Sequence, residues 1–250
     1  MKRIMAVLLV IMIGVFGYGT VKERRSEETA AVPVPTETSV PTATPSPTPE
    51  PTPEIDFHDT SSLLVVANKA NRLPEGYEPS DLVRPNVRSS ADWLLREPAA
   101  RALEEMFAGA EKEGIYLILG SAYRSAAYQS QLWNGYAAQY GADRADRISS
   151  RPGYSDHQTG LAVDIVQNQG NDFNEAFENT AAAKWLHAHA QEYGWIMRYP
   201  KGKEDITGYA YEPWHFRYIG KEYAEAIYAV DEWESFEEYF GVEGGKEYKE

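Results

Sequence analysis

Two short segments of the chain carry a pattern of chemistry-bearing residues that restricts what it can fold into. The first segment, residues 155–164, contains His157 and, seven positions later, Asp164. The second segment, residues 212–218, contains His215 and, three positions before it, Glu212. Two histidines and one carboxylate form a ligand set that zinc accepts, with a fourth tetrahedral position left open for water. The fold must therefore bring two distant segments together, and Glu212 is then free to act as a base.

The composition narrows the kinds of site that the chain can form. It has 250 residues and no cysteine, which excludes disulfides, iron–sulfur clusters and thiolate zinc sites. Any metal must therefore bind through nitrogen and oxygen atoms. The formal net charge of −14 argues against a nucleic-acid surface, which needs clustered lysine and arginine, so we expect no nucleic-acid partner.

Residues 1–25 have the layout of a targeting segment. A basic start is followed by an uncharged apolar run from Ile4 to Gly19 and by the charged group Lys22–Arg25. Signal peptides have this layout, and the run is close to the roughly 17 residues that a short membrane-spanning helix needs. Both a cleaved signal peptide and an N-terminal membrane anchor remain open. We favour the anchor, because Gly17-Tyr18-Gly19 is a poor cleavage site.

Residues 26–56 form a second region, rich in proline, threonine and glutamate. It includes the repeat Thr-Pro-Ser-Pro-Thr-Pro-Glu-Pro-Thr-Pro-Glu at residues 44–54. Repeated proline fixes φ and removes backbone donors, so we expect a disordered, extended linker of polyproline type. Residues 57–250 remain for one folded domain. The anchor and the linker together predict a domain outside the cytoplasm, either membrane-anchored or secreted.

Hydrophobic periodicity and breaker residues predict intermixed helices and strands in residues 57–250. We predict helices from Glu97 to the stop at Gly114 and over residues 126–140, 181–193 and 221–230, followed by an aromatic tail with Trp233, Phe236 and Phe240. We predict strands over residues 63–66, 115–119, 161–166, 195–199 and 214–219. Because no βαβ rhythm is present, the pattern predicts an α+β fold with a small, mostly antiparallel sheet flanked by helices. The zinc site then lies on the sheet.

Three further polar residues are candidates for contacting a substrate. Arg124 follows the predicted strand over residues 115–119, and its guanidinium could bind a carboxylate or stabilise an oxyanion. A surface salt bridge is an equally good interpretation of its position. Gln129 lies about one helical turn further on and could add a hydrogen bond. Ser155 could either cap a turn or contact the substrate.

Three motifs occur in a fixed order: Ser121-Ala122-Tyr123-Arg124-Ser125 with Gln129, then residues 151–164, then residues 212–218. Together they resemble the VanY-type D-alanyl-D-alanine carboxypeptidases, which belong to the M15 zinc metallopeptidases. The resemblance covers roughly residues 61–240. The one departure is Asp156, which stands where the family often has glutamate, and neither residue is a ligand.

The resemblance implies zinc bound by His157, Asp164 and His215, with Glu212 as the catalytic base. It also implies that Arg124 contacts the substrate and acts in catalysis, with Gln129 and Ser155 nearby. The expected reaction is hydrolysis of the terminal D-alanine from peptidoglycan stem peptides, by a monomeric domain that faces the cell wall.

Two alternatives to this reaction remain open. An L,D-carboxypeptidase of the same family would trim a tetrapeptide and would carry the same metal motifs. A zinc-bearing module, as in the hedgehog domain, would bind wall material without turnover. Glu212 argues against the second alternative, because a domain that only binds has no need of a base three residues before His215.

Overall fold

Helices and strands intermix along the described part of the chain. The computed structural model describes residues 55–167 and 173–249, so the predicted signal peptide or anchor and nearly all of the predicted linker lie outside the described residues. The strands are β1 (Leu82–Val83), β2 (Leu95–Arg96), β3 (Ile118–Ser121), β4 (Ala162–Val166), β5 (Trp195–Met197) and β6 (His215–Tyr218). The α-helices are α1 (Glu97–Lys112), α2 (Ala126–Tyr140), α3 (Ala142–Ile148), α4 (Ala181–His189), α5 (Glu204–Thr207), α6 (Lys221–Val230) and α7 (Phe236–Phe240). Among these helices, none is long and apolar enough to cross a bilayer.

The larger sheet places the three motifs side by side. Its strands follow the order β3-β4-β6-β5, and each neighbouring pair is antiparallel. Asp164 of β4 lies opposite Ser121 of β3 on one side and opposite His215 of β6 on the other. This register brings the ends of the three motifs to one place. The predicted α+β fold with a small antiparallel sheet is confirmed.

Helix α1 supplies much of the core that supports this sheet. Pro98 stands in its first turn, where the missing N–H removes no helical hydrogen bond. Leu103, Phe107 and Ala110 are buried at helical spacing and share one apolar cluster with sheet residues such as Val163. Helix and sheet therefore exclude water from each other.

Helices α2 and α3 form a hairpin beside the sheet. Helix α2 covers the predicted residues because both its ends are encoded locally. The Ser125 hydroxyl accepts a hydrogen bond from the Tyr128 N–H, and Gly141 ends the helix with φ at 86°. The Trp133 indole N–H donates to Asp146 of α3 at 2.8 Å, which joins the two helices.

The predicted strand at Leu63–Val66 is wrong, although the segment is apolar and largely buried. Its carbonyl groups are bound by a side chain instead of a neighbouring strand. The Arg217 guanidinium donates to the Leu63 carbonyl at 3.0 Å and to the Val65 carbonyl at 2.6 Å. Apolar composition reports burial, and it does not reveal which donors satisfy the backbone.

Four short elements, β1, β2, α3 and α5, were not predicted, and other differences concern the ends of elements. Strand β3 begins at Ile118 instead of residue 115, and the predicted helix over 181–193 divides into α4 and a 3₁₀ helix at Ala190–Tyr193. In the predicted aromatic tail, Phe236 and Phe240 lie in α7, whereas Trp233 precedes it. Phe57 packs against Phe236, with ring centres 6.0 Å apart.

Candidate metal centre and active site

His157 is presented by a short 3₁₀ turn, Asp156–Thr159, that precedes β4. Gly160 ends this turn with φ at 69°, and a Cβ atom there would lie 3.0 Å from the Arg96 side chain, so glycine meets both constraints. The Nδ1 atom of His157 lies 2.7 Å from the Ala122 carbonyl oxygen. A carbonyl can only accept, so Nδ1 carries the proton and Nε2 is left with a free lone pair.

Asp164 and His215 meet His157 in a buried cluster. The Nε2 atom of His157 lies 3.3 Å from Asp164 Oδ2, and His215 Nδ1 lies 3.3 Å from Asp164 Oδ1. One donor atom from each of the three residues can be chosen so that all lie within 4.8 Å of one another. The structure therefore brings together the three residues predicted as metal ligands.

The donor set fits a zinc ion. Asp164 Oδ1 is buried and accepts no hydrogen bond from the described residues. A buried carboxylate oxygen without a proton donor is costly unless a cation completes its surroundings. Two imidazole nitrogens and one carboxylate oxygen match the ligands of zinc sites that keep one position open. The ligand roles of these three residues remain predictions.

Burial and neighbouring charges shift the pKa values of the predicted ligands. Burial, followed by the positive charge of Arg124, lowers the pKa of His157 to about 4. Burial would raise the pKa of Asp164, but His157 and Arg124 outweigh it and hold that pKa well below its usual range. These directions favour a neutral imidazole for His157 and an ionised carboxylate for Asp164, the forms that bind metal. Burial would lower the pKa of His215, but Asp156, Asp164 and Glu212 outweigh it and hold that pKa well above its usual range, so metal binding must displace a proton from His215.

Asp156 lies directly behind the His215 ring, a position that the sequence did not reveal. Its Oδ2 atom lies 3.5 Å from His215 Nε2, on the side of the imidazole away from Asp164. Arg217 donates to Asp156 Oδ1, and Arg198 Nε lies 3.8 Å from Oδ2. Burial would raise the pKa of Asp156, but Arg217 first, then His215 and Arg198, hold it well below its usual range. Neither Asp156 Oδ2 nor His215 Nε2 has a hydrogen-bond partner among the described residues, and a carboxylate facing this side of the ring is placed to orient a ligating imidazole.

The support for Asp156 extends to the C-terminal helix. Arg198 donates to both carboxylate oxygens of Glu237 on α7, at 2.8 and 2.6 Å. All four side chains of this buried network, Asp156, Arg217, Arg198 and Glu237, are almost inaccessible to solvent. The position of Arg217 near the site could have been predicted from the sequence. Side chains alternate along a strand, so Arg217 lies on the same face of β6 as His215, two residues before it.

Glu212 lies beside His215, as the three-residue spacing suggested. The His215 N–H donates to the Glu212 carbonyl at 3.0 Å, and this turn places Glu212 Oε2 3.3 Å from His215 Nδ1. Burial raises the pKa of Glu212, although His215 partly opposes the effect. A raised pKa suits a group that both accepts and returns a proton.

Arg124 points into the same cluster from the end of β3. Its Nε donates to Ser121 Oγ at 3.0 Å, and its Nη2 donates to Asp164 Oδ2. The side chain retains 19% of its accessible surface, so one edge of the guanidinium faces the cleft. The salt bridge of Arg124 is with a buried partner and not at the surface, since the Asp164 side chain is 5% exposed, and its contact with substrate stays a prediction.

Gln129 and Ser155 are buried together at the base of the cleft. The Gln129 amide donates to Ser149 Oγ at 3.0 Å and to the Ser150 carbonyl at 2.8 Å. Its Oε1 atom faces the Ser155 hydroxyl at 3.5 Å. Gln129 therefore connects α2 to the segment after α3, and its contact with substrate stays a prediction, as does that of Ser155.

A cleft of about 880 Å³ opens over the cluster. Its lining includes the predicted ligands, Glu212, Arg124, Gln129 and Ser155. Tyr199 also lines the cleft, with its ring centre 4.7 Å from that of His215, and no local sequence pattern had indicated it. One cleft thus contains a carboxylate that can act as a base (Glu212), a guanidinium (Arg124) and a predicted metal site. Such an arrangement can hydrolyse a peptide bond.

Comparison with known proteins agrees with the geometry. The family model described as VanY: D-alanyl-D-alanine carboxypeptidase matches residues 92–221. The chain belongs to the VanY family. This assignment confirms the predicted family, the predicted metallocarboxypeptidase class and the predicted D-alanyl-D-alanine carboxypeptidase function.

Individual members of the family add detail. The bifunctional D-Ala-D-Ala dipeptidase and D-Ala-D-Ala carboxypeptidase VanXYC of Enterococcus gallinarum is 35% identical, over 70% of this chain and 92% of VanXYC. The solved LdcB LD-carboxypeptidase is 44% identical with a TM-score of 0.69, over 74% of this chain and 88% of LdcB. A mutant of the D,D-pentapeptidase VanY, solved in complex with Zn(II), is 31% identical with a TM-score of 0.60, over 71% of this chain and 98% of that one.

Proposed function

We propose that this VanY-family enzyme uses zinc to remove the terminal D-alanine from peptidoglycan stem peptides. The observation that carries the proposal is the convergence of His157, Asp164 and His215 in one cleft, with Glu212 beside His215. The zinc complex of the related VanY supports the choice of metal. These three residues would hold zinc as a Lewis acid, which would polarise the peptide carbonyl and lower the pKa of a bound water.

The residues of the chain account for the movement of protons. Glu212 accepts a proton from the attacking water and delivers it to the amine of the departing D-alanine. The raised pKa of Glu212 makes its carboxylate a stronger acceptor for the proton of water and its protonated form a weaker donor to the amine. A pKa between those of the two partners lets one group carry out both transfers. Asp156 holds the His215 ring from behind, so that the ring keeps its orientation throughout.

Arg124 supplies the positive charge that faces the substrate. In the cleft, its guanidinium binds the free terminal carboxylate or stabilises negative charge on the attacked carbonyl oxygen. Ser121 and Asp164 hold Arg124 from the other side, which limits its rotamers before substrate arrives. Less conformational entropy is then lost on binding.

A second candidate, L,D-carboxypeptidase activity, is favoured by one observation. The LdcB LD-carboxypeptidase is 44% identical to this chain, whereas the D,D-pentapeptidase VanY is 31% identical. The two activities differ in the stem peptide that they shorten, because the D,D reaction shortens a pentapeptide and the L,D reaction a tetrapeptide. The metal cluster is compatible with both.

The place of action is part of the proposal. Residues 1–25 and 26–56 predict a targeting segment and a linker, and the substrate class belongs to the cell wall. We infer an extracytoplasmic domain, held at the membrane if residues 1–25 are not cleaved. Fractionating cells and digesting the intact cells with protease tests this placement, since an extracytoplasmic domain is degraded while the cell remains closed.

The test of the reaction uses the domain from residue 57 onward with two defined peptides. The proposal expects zinc-dependent release of D-alanine from a stem pentapeptide and much slower release from the matching tetrapeptide. The reverse preference would assign the L,D reaction. Binding of both peptides without release of D-alanine would instead favour a non-catalytic wall-binding module.

A further inference from the structure

Helix α2 exposes apolar side chains that a surface helix would ordinarily bury. Every residue of this helix is described, and Gln129 is the only one that is buried. Tyr128, Tyr136 and Tyr140 are 42%, 36% and 44% exposed. Single exposed aromatics are common on proteins, whereas a continuous set along a cleft indicates a binding surface.

These side chains follow a regular spacing. Residues 128, 132, 136 and 140 are each four positions apart, so neighbours lie one above the other along the helix. All four line the cleft that contains the predicted metal centre. We call Tyr128, Leu132, Tyr136 and Tyr140 the aromatic stripe. At about 1.5 Å per residue, the stripe is about 18 Å long.

The stripe leads away from the predicted metal centre. Its near end adjoins Ser125, which caps α2, and Arg124, which donates to Asp164. Its far end lies at the tip of the α2–α3 hairpin. There the Arg144 guanidinium carbon lies 5.0 Å from the centre of the Tyr140 ring, and both residues line the cleft.

The length of the stripe exceeds that of the peptide. An extended chain covers at most about 3.6 Å per residue, so the four residues before the cleaved bond of a pentapeptide cover about 14 Å. In peptidoglycan, the N-terminus of the stem peptide is joined to a sugar of the glycan strand. A stripe of about 18 Å therefore reaches past the peptide to that sugar.

The chemistry of the far end suits such an occupant. A tyrosine ring combines a flat apolar face with a hydroxyl group, and a pyranose ring likewise has an apolar face edged by hydroxyls. The exposed guanidinium of Arg144 offers several donors to the carbonyl oxygen of the sugar–peptide junction and to nearby hydroxyl oxygens. Because the surface is continuous with the catalytic cleft, one substrate molecule can occupy both.

We propose that the far end of the aromatic stripe, Tyr136 and Tyr140 with Arg144, binds the sugar-bearing end of a stem peptide that is still attached to glycan. The inference rests on the proposed function and extends it, because it assigns a further part of the same substrate. It follows that the enzyme acts on glycan-linked stem peptides in preference to free ones.

The test compares one stem pentapeptide in two forms, free and linked to its disaccharide. For the zinc-loaded parent, kcat/KM should be higher on the linked form. Combining Tyr136→Ala with Tyr140→Ala should lower kcat/KM on the linked form by on the order of tenfold, and on the free form by less than about twofold. Most of the loss should lie in KM, because the lost contacts are remote from the cleaved bond.

Tyr116→Ala provides the matched control. Tyr116 is 55% exposed, lies outside the cleft and packs against the Arg88 guanidinium. This variant should hydrolyse both forms at parental rates. Thermal unfolding of all variants checks that the exposed substitutions leave the domain folded.

Two results would overturn the stripe proposal: equal losses on both forms in the double variant, or a parent that does not distinguish the forms. Failure of the proposed function gives a different result, a parent that hydrolyses neither form. In that case calorimetric titration with the linked peptide tests the stripe proposal separately. The proposal requires that the parent binds the linked peptide and that the double variant binds this peptide at least about tenfold more weakly.

Discussion

Replacing Asp156 by asparagine should lower both the free energy of unfolding and the affinity for zinc. The two losses can be measured separately. Asp156 is the carboxylate partner of Arg217, and it faces His215 Nε2. Removing one partner of a buried ion pair costs about 3–5 kcal/mol. The Leu63 and Val65 carbonyls remain as acceptors for Arg217, so we expect the lower end of this range, about 3 kcal/mol.

The metal affinity should change for another reason. Asparagine keeps the shape of the side chain and one acceptor oxygen but lacks the negative charge that faces the His215 ring. Loss of such a partner lowers metal affinity by about 10- to 100-fold. Since a tenfold change corresponds to about 1.4 kcal/mol, the expected loss of zinc-binding free energy is about 1.4–2.8 kcal/mol.

Glu237→Gln separates the two effects. Glu237 belongs to the same buried network through Arg198, yet its carboxylate contacts Arg198 and Asn68 and not His215. We expect this variant to lose stability on a similar scale, about 3 kcal/mol, and to keep parental zinc affinity within about threefold.

Two measurements decide the outcome. Urea unfolding of the metal-free domains gives the change in folding free energy, and titration against a competing chelator gives the zinc affinity. The reasoning is refuted if the two variants lose zinc affinity equally, since Asp156 would then act only through general stability. It is also refuted if Asp156→Asn unfolds at the parental urea concentration.

Three further predictions concern catalysis and the linker. Glu212→Gln should keep its zinc by elemental analysis while kcat falls about 10²–10⁴-fold and KM changes little; parental turnover would remove Glu212 as the base. Arg124→Ala should lower kcat/KM on a peptide acid about 10- to 100-fold more than on the matching C-terminal amide, and equal losses would indicate that Arg124 acts on the carbonyl oxygen or by holding Asp164. Deleting residues 31–54 from a soluble form should leave the melting temperature and peptide hydrolysis nearly unchanged, and a drop of many degrees would show that this segment packs on the domain.

The features that the sequence could predict are those encoded by neighbouring residues. The ends of α2 depend on the Ser125 cap and on Gly141, both of which act within one helical turn. The spacing of Glu212 and His215 is likewise a property of one short turn before β6. The order of three motifs along the chain was enough to identify the family and its reaction.

The buried network behind His215 was decided only by the tertiary structure. Asp156 and Arg217 are distant in sequence, as are Arg198 and Glu237, and no local pattern records which side chains become partners. The same reason explains why residues 63–66 were mistaken for a strand, because the donors to their backbone come from Arg217 on β6. Hydrophobic patterns indicate that a segment is buried, whereas the partners of its polar groups depend on how distant segments meet.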